Sequence, residues 1–461
     1  MDTKPPSFLD RLSSDEYDPL PYRPEDRRVV AHTAQVLEDA ASRLKLSSAR
    51  LLGGRAATAA GLTALNEEWG ATFFHLPAEA LVDDRAAAEA FAGRGVVIDV
   101  QTHFMAPHSA RTGNPQLTLE MYRAIMPDWW TQMDDLVAFS VAEYITNVFL
   151  ETETAVAVLT SGPGLDDRRA LFNDEMLATR ELVDKFAGTG RLLNHTVVHA
   201  DVPEEIEAMA EWRERCNPIG WKVYTPGRRG PQGLEHGWML DDERFGLPFL
   251  ERAQNLGVPL VCAHKGISQM VDNGSPRDIG PAAKAFPGMK LVVYHSGYEL
   301  PLHNAPPEGA YSEETAHLGV NRLIHSARQA GIGRGGNIYP ELGTTWFSLI
   351  RRPIEAAHVL GKLIAYFGED NVIWGTDSTW YGSAQPIIDA FRVFQIPDRM
   401  CERYGYSPLT AEVKEKILSL NAARVYGIDL AAAQRAAQTD DLAWARALLD
   451  DYRKNGFPAL R

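Results

Sequence analysis

The sequence predicts an α/β fold: a (β/α)8 TIM barrel with helical N-terminal and C-terminal extensions. Three observations support this. From residue 95 onward, eight short apolar or β-branched runs alternate with stretches long enough to hold helices, the pattern of βαβ units in a parallel sheet. Polar residues of the metal-ligating type recur at the C-terminal ends of those runs, which a doubly wound sheet would not gather at one place. The 461 residues exceed the roughly 250 that a barrel needs, leaving room for extensions at both ends.

Residues 1–94 read as helical and Ala-rich. VVAHTAQVLEDAASRLKL and the run 62–69 carry helical spacing, interrupted by short Pro- and Asp-containing stretches. This segment is expected to pack on the barrel as an extension. The eight strands are then read at 95–103 (GVVIDVQTH), 154–162 (TAVAVLTSG), 192–200 (LLNHTVVHA), 218–226 (PIGWKVYTP), 258–266 (VPLVCAHKG), 289–297 (MKLVVYHSG), 336–344 (GNIYPELGT) and 371–379 (NVIWGTDST). Helical patterns such as NDEMLATRELVDKFAG and RRPIEAAHVLGKLIAYFG lie between them. Two connections run long. Residues 104–153 contain a polar loop, the aromatic DWW at 128–130 and a helix around VAEYITNVFLE; residues 298–335 contain YELPLHNAPPEGAYSEE and a further helix. Both leave the C-terminal face of the barrel, where loops shape the pocket. The expected catalytic domain is 95–428, and 429–461 is a C-terminal helical tail.

Composition excludes several classes. Hydrophobic residues make up 45% and charged residues 23%, enough for a large core and unlike a disordered chain. Lys and Arg total 46 against 61 Asp and Glu, a net charge of -15. That opposes nucleic acid or an anionic membrane as the main partner and leaves a small-molecule substrate. Cys216, Cys262 and Cys401 are too few and too scattered for a disulfide framework. The opening MDTKPPSFLDRLSSDEYD has no apolar signal segment, and AATAAGLTAL at 56–65 is too short to span a bilayer. The expectation is a cytoplasmic protein, with a homodimer or a hetero-oligomer with a related subunit both open.

Gln101 and His103 stand at i and i+2, so an extended strand points them the same way. Lys222 ends the fourth run, His264 the fifth, His295 the sixth and Asp377 the eighth. Any one of these histidines alone reads most simply as a hydrogen-bonded core residue. Their recurrence at one strand depth points instead to a bound metal. Glu299 lies four residues past His295, placed to orient it or to shuttle a proton, and Glu341 and Tyr339 share one side of the seventh run. His199 ends the third run, either touching substrate or packing behind the site. Trp129, Trp130, Trp346 and Trp380 either line an apolar pocket or fill core, and His303, His317, His325 and His358 read as structural or exposed. No Gly-x-Ser-x-Gly elbow, phosphate loop or redox CxxC is present.

The motifs DVQTH, GWKVYT, CAHKG, VVYHSGYE, WGTDS and LNAARVYG resemble the amidohydrolase superfamily, in its amidohydrolase-related (family 2) branch, over about residues 95–428. In that family a His-x-His pair on strand one joins histidines from strands five and six and an aspartate from strand eight. The resemblance therefore implies His103, His264 and Asp377 as ligands, with His295 either a ligand to a second metal or a catalytic histidine beside one metal. Gln101 departs from the pattern: it stands in the first histidine position and offers only a neutral amide oxygen, either as a weak ligand or as a donor behind the ligands. Dinuclear members carry a carboxylated lysine on strand four, which would make Lys222 the bridge, since an unmodified ammonium has no free lone pair. Otherwise Lys222 pairs with Asp377, Glu299 or Glu341, or binds a substrate carboxylate. With the bridge, Gln101, His103 and Asp377 would hold one metal and His264 and His295 the other.

The same ligands fit three chemistries. One is zinc- or manganese-dependent hydrolysis of a C–N or ester bond, with Asp377 or His295 moving protons. Another is non-oxidative decarboxylation of a hydroxy-carboxylate on zinc or manganese. The third is oxygen activation by a dinuclear iron or manganese/iron centre. The combination of DVQTH, WKVYT, AHKG, YHSGYE, ELGTTW and WGTDSTWYG is most similar to the subgroup that includes dinuclear non-haem oxygenases, which implies a monooxygenase hydroxylating a small organic substrate.

Overall fold

The computed structural model describes residues 6–9, 20, 22–44, 54–106, 140–162, 164, 169–230, 233–266, 271–299 and 306–455. The loop carrying Trp129 and Trp130, His303, and the two ends of the chain lie outside the described residues.

Seven strands form one parallel sheet: β1 (Val97–Thr102), β2 (Thr154–Leu159), β3 (Leu192–Val197), β4 (Gly220–Tyr224), β5 (Leu260–His264), β6 (Lys290–Tyr294) and β7 (Ile338–Pro340). They stand in sequence order, each paired with the next. Each coincides with one of the runs read from the sequence. The sheet curls into a half-barrel flanked by helices, among them Asn173–Ala187, Pro203–Arg215, Gly246–Asn255, Asn321–Ala330 and Pro353–Phe367. An antiparallel hairpin, Arg228–Gly230 with Gly233–Glu235, follows β4 and was not foreseen.

The strands are buried on both faces, as a parallel sheet covered by helices must be. Period-2 alternation divides them. Trp221, Val223, Val261, Ala263, Leu291 and Val293 join the large apolar cluster shared with the helices. Leu260, Cys262, Val292 and Tyr294 join a second cluster with Ile373 and Tyr426. Register aligns Tyr224 with His264 and His264 with Tyr294, so the chemistry-bearing residues of neighbouring strands end at one depth.

The eighth run, 371–379, forms no regular strand: it makes isolated parallel bridges, Ile373 to Glu341 and Ser378 to Thr102. Its backbone nevertheless bonds to both neighbours, Ile373 N to Pro340 O at 2.9 Å and Asp377 N to Gln101 O at 2.9 Å. Two features prevent a regular ladder. The Asp99 carboxylate takes the Thr376 N–H at 3.0 Å, and Asp377 has φ +61, which no extended strand adopts.

The N-terminal helices Pro24–Leu44 and Arg55–Trp69 are built into the same body. Phe8, Leu9, Leu62 and Leu65 belong to the large cluster, and the buried Asp26 faces Arg351 and Arg352 at 3.6 and 3.4 Å. The segment 56–65 is buried within the second of these helices. At the other end, Arg191 ties Asp440 at 3.1 Å, and Leu442 packs in a cluster with Met176 and Val183. Among the described residues, no helix is long and apolar enough to cross a membrane.

Candidate functional site

The end of β1 meets the 371–378 segment at one carboxylate. Gln101 Nε2 donates to Asp377 Oδ1 at 2.9 Å, His103 Nε2 lies 3.0 Å from the same oxygen, and Thr344 Oγ1 donates to Asp377 Oδ2 at 2.5 Å. All four side chains are buried. Asp99, two residues before Gln101 on the strand, accepts from Thr376 Oγ1 at 2.5 Å and from the Gln101 N–H at 3.1 Å. Its complete burial pushes the carboxyl up to about 7. Sequence reasoning missed Asp99, although it shares strand parity with Gln101 and His103 and that signal was available.

The ends of β5 and β6 bring a second group together. The rings of His264 and His295 are 5.0 Å apart and nearly perpendicular, and Tyr224 stacks 5.4 Å from His264. His295, Ser296 and Gly297 have φ of +56, +52 and +59. Left-handed backbone at the two non-glycine residues costs roughly 1–3 kcal/mol each and persists only where the surroundings enforce it. Those surroundings are specific. The His295 N–H donates to Glu341 Oε2 at 3.0 Å, Thr345 Oγ1 to His295 O at 2.7 Å, Ser296 Oγ to Glu341 O at 2.8 Å, and Thr344 N to His295 Nδ1 at 3.3 Å. With Nδ1 accepting, a neutral ring bears its proton, or would meet a metal ion, at Nε2.

Lys222, fully buried on β4, places Nζ 3.6 Å from the Tyr294 ring centroid and 4.4 Å from that of Tyr224. Two aromatic faces favour a cation, so this geometry suits the ammonium form. Beneath it lies a polar cluster that the sequence did not announce. His195 Nε2 is 3.4 Å from Cys262 Sγ, Tyr294 OH is 3.4 Å from His195 Nδ1, and Cys262 Sγ is 3.3 Å from Tyr426 OH. Burial holds His195 well below its ordinary range and pushes the Cys262 thiol up to about 12. Both shifts favour the neutral imidazole and the neutral thiol.

The remaining candidates fall as follows. Glu299 is buried, and its backbone exchanges bonds with Gly319 at 3.0 and 3.1 Å. His199 Nδ1 lies 3.1 Å from both Glu205 and Arg169. Despite burial, the His199 hydrogen bond and the Arg169 charge hold Glu205 down to about 2. Tyr339 packs in the apolar cluster with Ile373, whereas Glu341 reaches His295. Trp346 is core, edge-on to Phe391 and Phe394, while the Trp380 ring stands 6.0 Å from that of His103. His358 is buried against Tyr406 OH at 2.9 Å, and His325 is 3.1 Å from Tyr311 OH.

The predicted ligands therefore gather as two groups: Gln101, His103 and Asp377 in one, His264 and His295 in the other. Among the described residues, no set of three or more His, Cys, Asp or Glu side chains stands close enough together to hold a metal ion. The donor chemistry itself fits a divalent cation, with imidazoles, a carboxylate and an amide oxygen all buried. Gly343 supplies a cradle between the groups. A Cβ there would meet Gln101 Oε1 and His295 Nδ1 at 2.8 Å and Glu341 Oε2 at 2.9 Å, so these donors converge on a side-chain-free Cα.

A family model described as amidohydrolase matches residues 98–428. Among solved structures, the chain is similar to an uncharacterised TIM-barrel protein from Bordetella bronchiseptica at 16% identity, covering 73% of this chain and 99% of that one, with a TM-score of 0.44. It is similar to an amidohydrolase from Mycobacterium avium subsp. paratuberculosis K-10 at 16% identity, covering 73% and 100%, with a TM-score of 0.41. It is also similar to 2,6-dihydroxybenzoate decarboxylase solved with 2,6-dihydroxybenzoate, at 12% identity over 72% and 100%, with a TM-score of 0.39. No curated protein matches the chain.

Proposed function

The chain belongs to the amidohydrolase family, and from that membership we propose that it is a metal-dependent enzyme acting on a small organic molecule. The reading favoured is a dinuclear non-haem iron or manganese/iron monooxygenase. The observation that carries it is the division of the donors into two groups, Gln101 and His103 on Asp377, and His264 against His295. Gln101, His103 and Asp377 would hold one ion, and His264 and His295 the other, with Lys222 bridging if carboxylated. A bound pair would supply dioxygen activation, one oxygen atom entering a substrate C–H bond and the other leaving as water with two electrons from an external reductant and two protons. Around it, the chain's own groups fix geometry and protons. The Gln101 amide and Thr344 hydroxyl orient Asp377, Glu341 and Thr345 hold His295, and Glu299 is assigned the proton shuttle. In this reading the 371–379 segment completes a (β/α)8 barrel, residues 95–428 are the catalytic domain, 1–94 is a helical extension packed on it, and 429–461 is a C-terminal helical tail.

Two observations favour a second reading. The Thr344 N–H on His295 Nδ1 and the aromatic faces around Lys222 suit a proton-bearing His295 and an ammonium Lys222 beside a single zinc or manganese ion. That enzyme would be a hydrolase or a non-oxidative decarboxylase. Elemental analysis of protein produced with iron and manganese separates the two. About two redox metals per chain, with substrate-dependent oxygen consumption, support the monooxygenase. One tightly bound zinc with product release and no oxygen uptake sinks it.

A further inference from the structure

We propose that Glu341 is a positioning residue: its carboxylate clamps the left-handed backbone of His295 and thereby aims that imidazole into the site. The inference rests on the reading that His295 works there, either as ligand or as proton carrier. Glu341 is fully buried and uses both oxygens on backbone donors, Oε2 on the His295 N–H at 3.0 Å and Oε1 on the Gly343 N–H at 2.7 Å. Its own carbonyl accepts from Ser296 Oγ at 2.8 Å. One residue therefore fixes both strained positions at the end of β6 and the start of the helix Gly343–Leu349.

Two glycines make room for the clamp. At Gly375 a Cβ would lie 1.9 Å from Glu341 Oε1, and at Gly343 it would lie 2.9 Å from Oε2. A buried carboxyl group is costly to desolvate unless it is hydrogen-bonded, and here each Glu341 oxygen receives an N–H. A simpler turn after β6 would need neither the left-handed pair nor a buried acid. What the arrangement achieves is a fixed direction for the His295 ring, the task that hydrogen-bonded partners of a site histidine commonly perform.

The test uses the full-length chain carrying Glu341→Gln, which offers one oxygen and one amide to two N–H donors, and separately Gly375→Ala, which displaces Glu341 and also meets the Gln101 Cβ at 3.1 Å, so that for this variant the His295 backbone is the deciding readout. The readouts are a crystal structure of each metal-free variant and Co(II) binding followed by visible absorption. The clamp predicts that His295 leaves positive φ in the variants and that Co(II) affinity falls ten- to a hundredfold. A displaced His295 with unchanged affinity still supports the clamp and makes His295 a proton carrier. An unmoved His295 backbone overturns the proposal, whatever the affinity does. If the unaltered protein binds no Co(II), the metal reading fails, and the His295 backbone alone decides the clamp. Should Glu341→Gln not fold, the His295 backbone in Gly375→Ala decides.

Discussion

Gln101 Nε2 donates to Asp377 Oδ1 at 2.9 Å, so the residue that departs from the family's histidine pattern is tied to the aspartate expected on the last strand. The amide nitrogen is committed to Asp377, and the amide oxygen turns toward Gly343. Gln101→Ala removes a buried donor from a carboxylate that keeps Thr344 and His103. It is expected to lower stability by about 1–2 kcal/mol and to reduce bound metal, read by thermal melting and elemental analysis. Unchanged metal content would take Gln101 out of the ligand set.

Gly343→Ala is expected to be more damaging. The residue has φ +37, and the new methyl would strike Gln101 Oε1, His295 Nδ1 and Glu341 Oε2 together. Destabilisation of about 1–3 kcal/mol by overpacking, together with loss of activity, is the expected result. A fully active and equally stable variant would mean that these donors can be moved without consequence.

Lys222→Met separates the two metal readings. If a carboxylated Lys222 bridges, the variant should bind about one metal where the parent binds about two, and lose oxygen uptake. If Lys222 acts as an ammonium over Tyr294 and Tyr224, metal content stays the same. Elemental analysis decides.

Away from the site, Lys414 is buried, donates to Arg392 O at 2.6 Å, and is pushed by that burial down to about 7. Between pH 7 and the ordinary lysine range the unfolded chain holds this proton and the folded chain does not. Stability therefore rises with pH across that window, and the penalty is fully present below it. Lys414→Met should stabilise the protein at pH 7 and below by an amount on the order of a few kcal/mol and flatten the rise, seen in melting temperatures from pH 7 to 10. An unaltered pH profile in the variant would show that Lys414 stays charged in the folded protein.

Local pattern made seven strands legible, because each is a short apolar run buried on both faces and bounded by helical spacing. The eighth run looked the same but is not a ladder strand. Its pairing depends on the Asp99 side chain, remote in sequence, and on a left-handed Asp377 that no periodicity encodes. The candidate ligands were legible for a similar reason: residues at i and i+2, or at strand ends, can be placed by counting. Asp99 was within reach of that counting, while His195 and Thr344 were not, since each matters only through a partner far along the chain.

The sequence by itself determined the parallel α/β architecture, the helical extensions and the residue types that collect at the strand ends, because burial periodicity and donor chemistry are local properties. Only the tertiary structure decided how those donors group. Asp377, on the segment between β7 and β1, faces Gln101 and His103, and His264 meets His295 at the ends of β5 and β6. It also decided that Glu341 serves the His295 backbone. Such pairings are set by sheet curvature and by backbone held against its own preference, which emerge only when distant segments pack together.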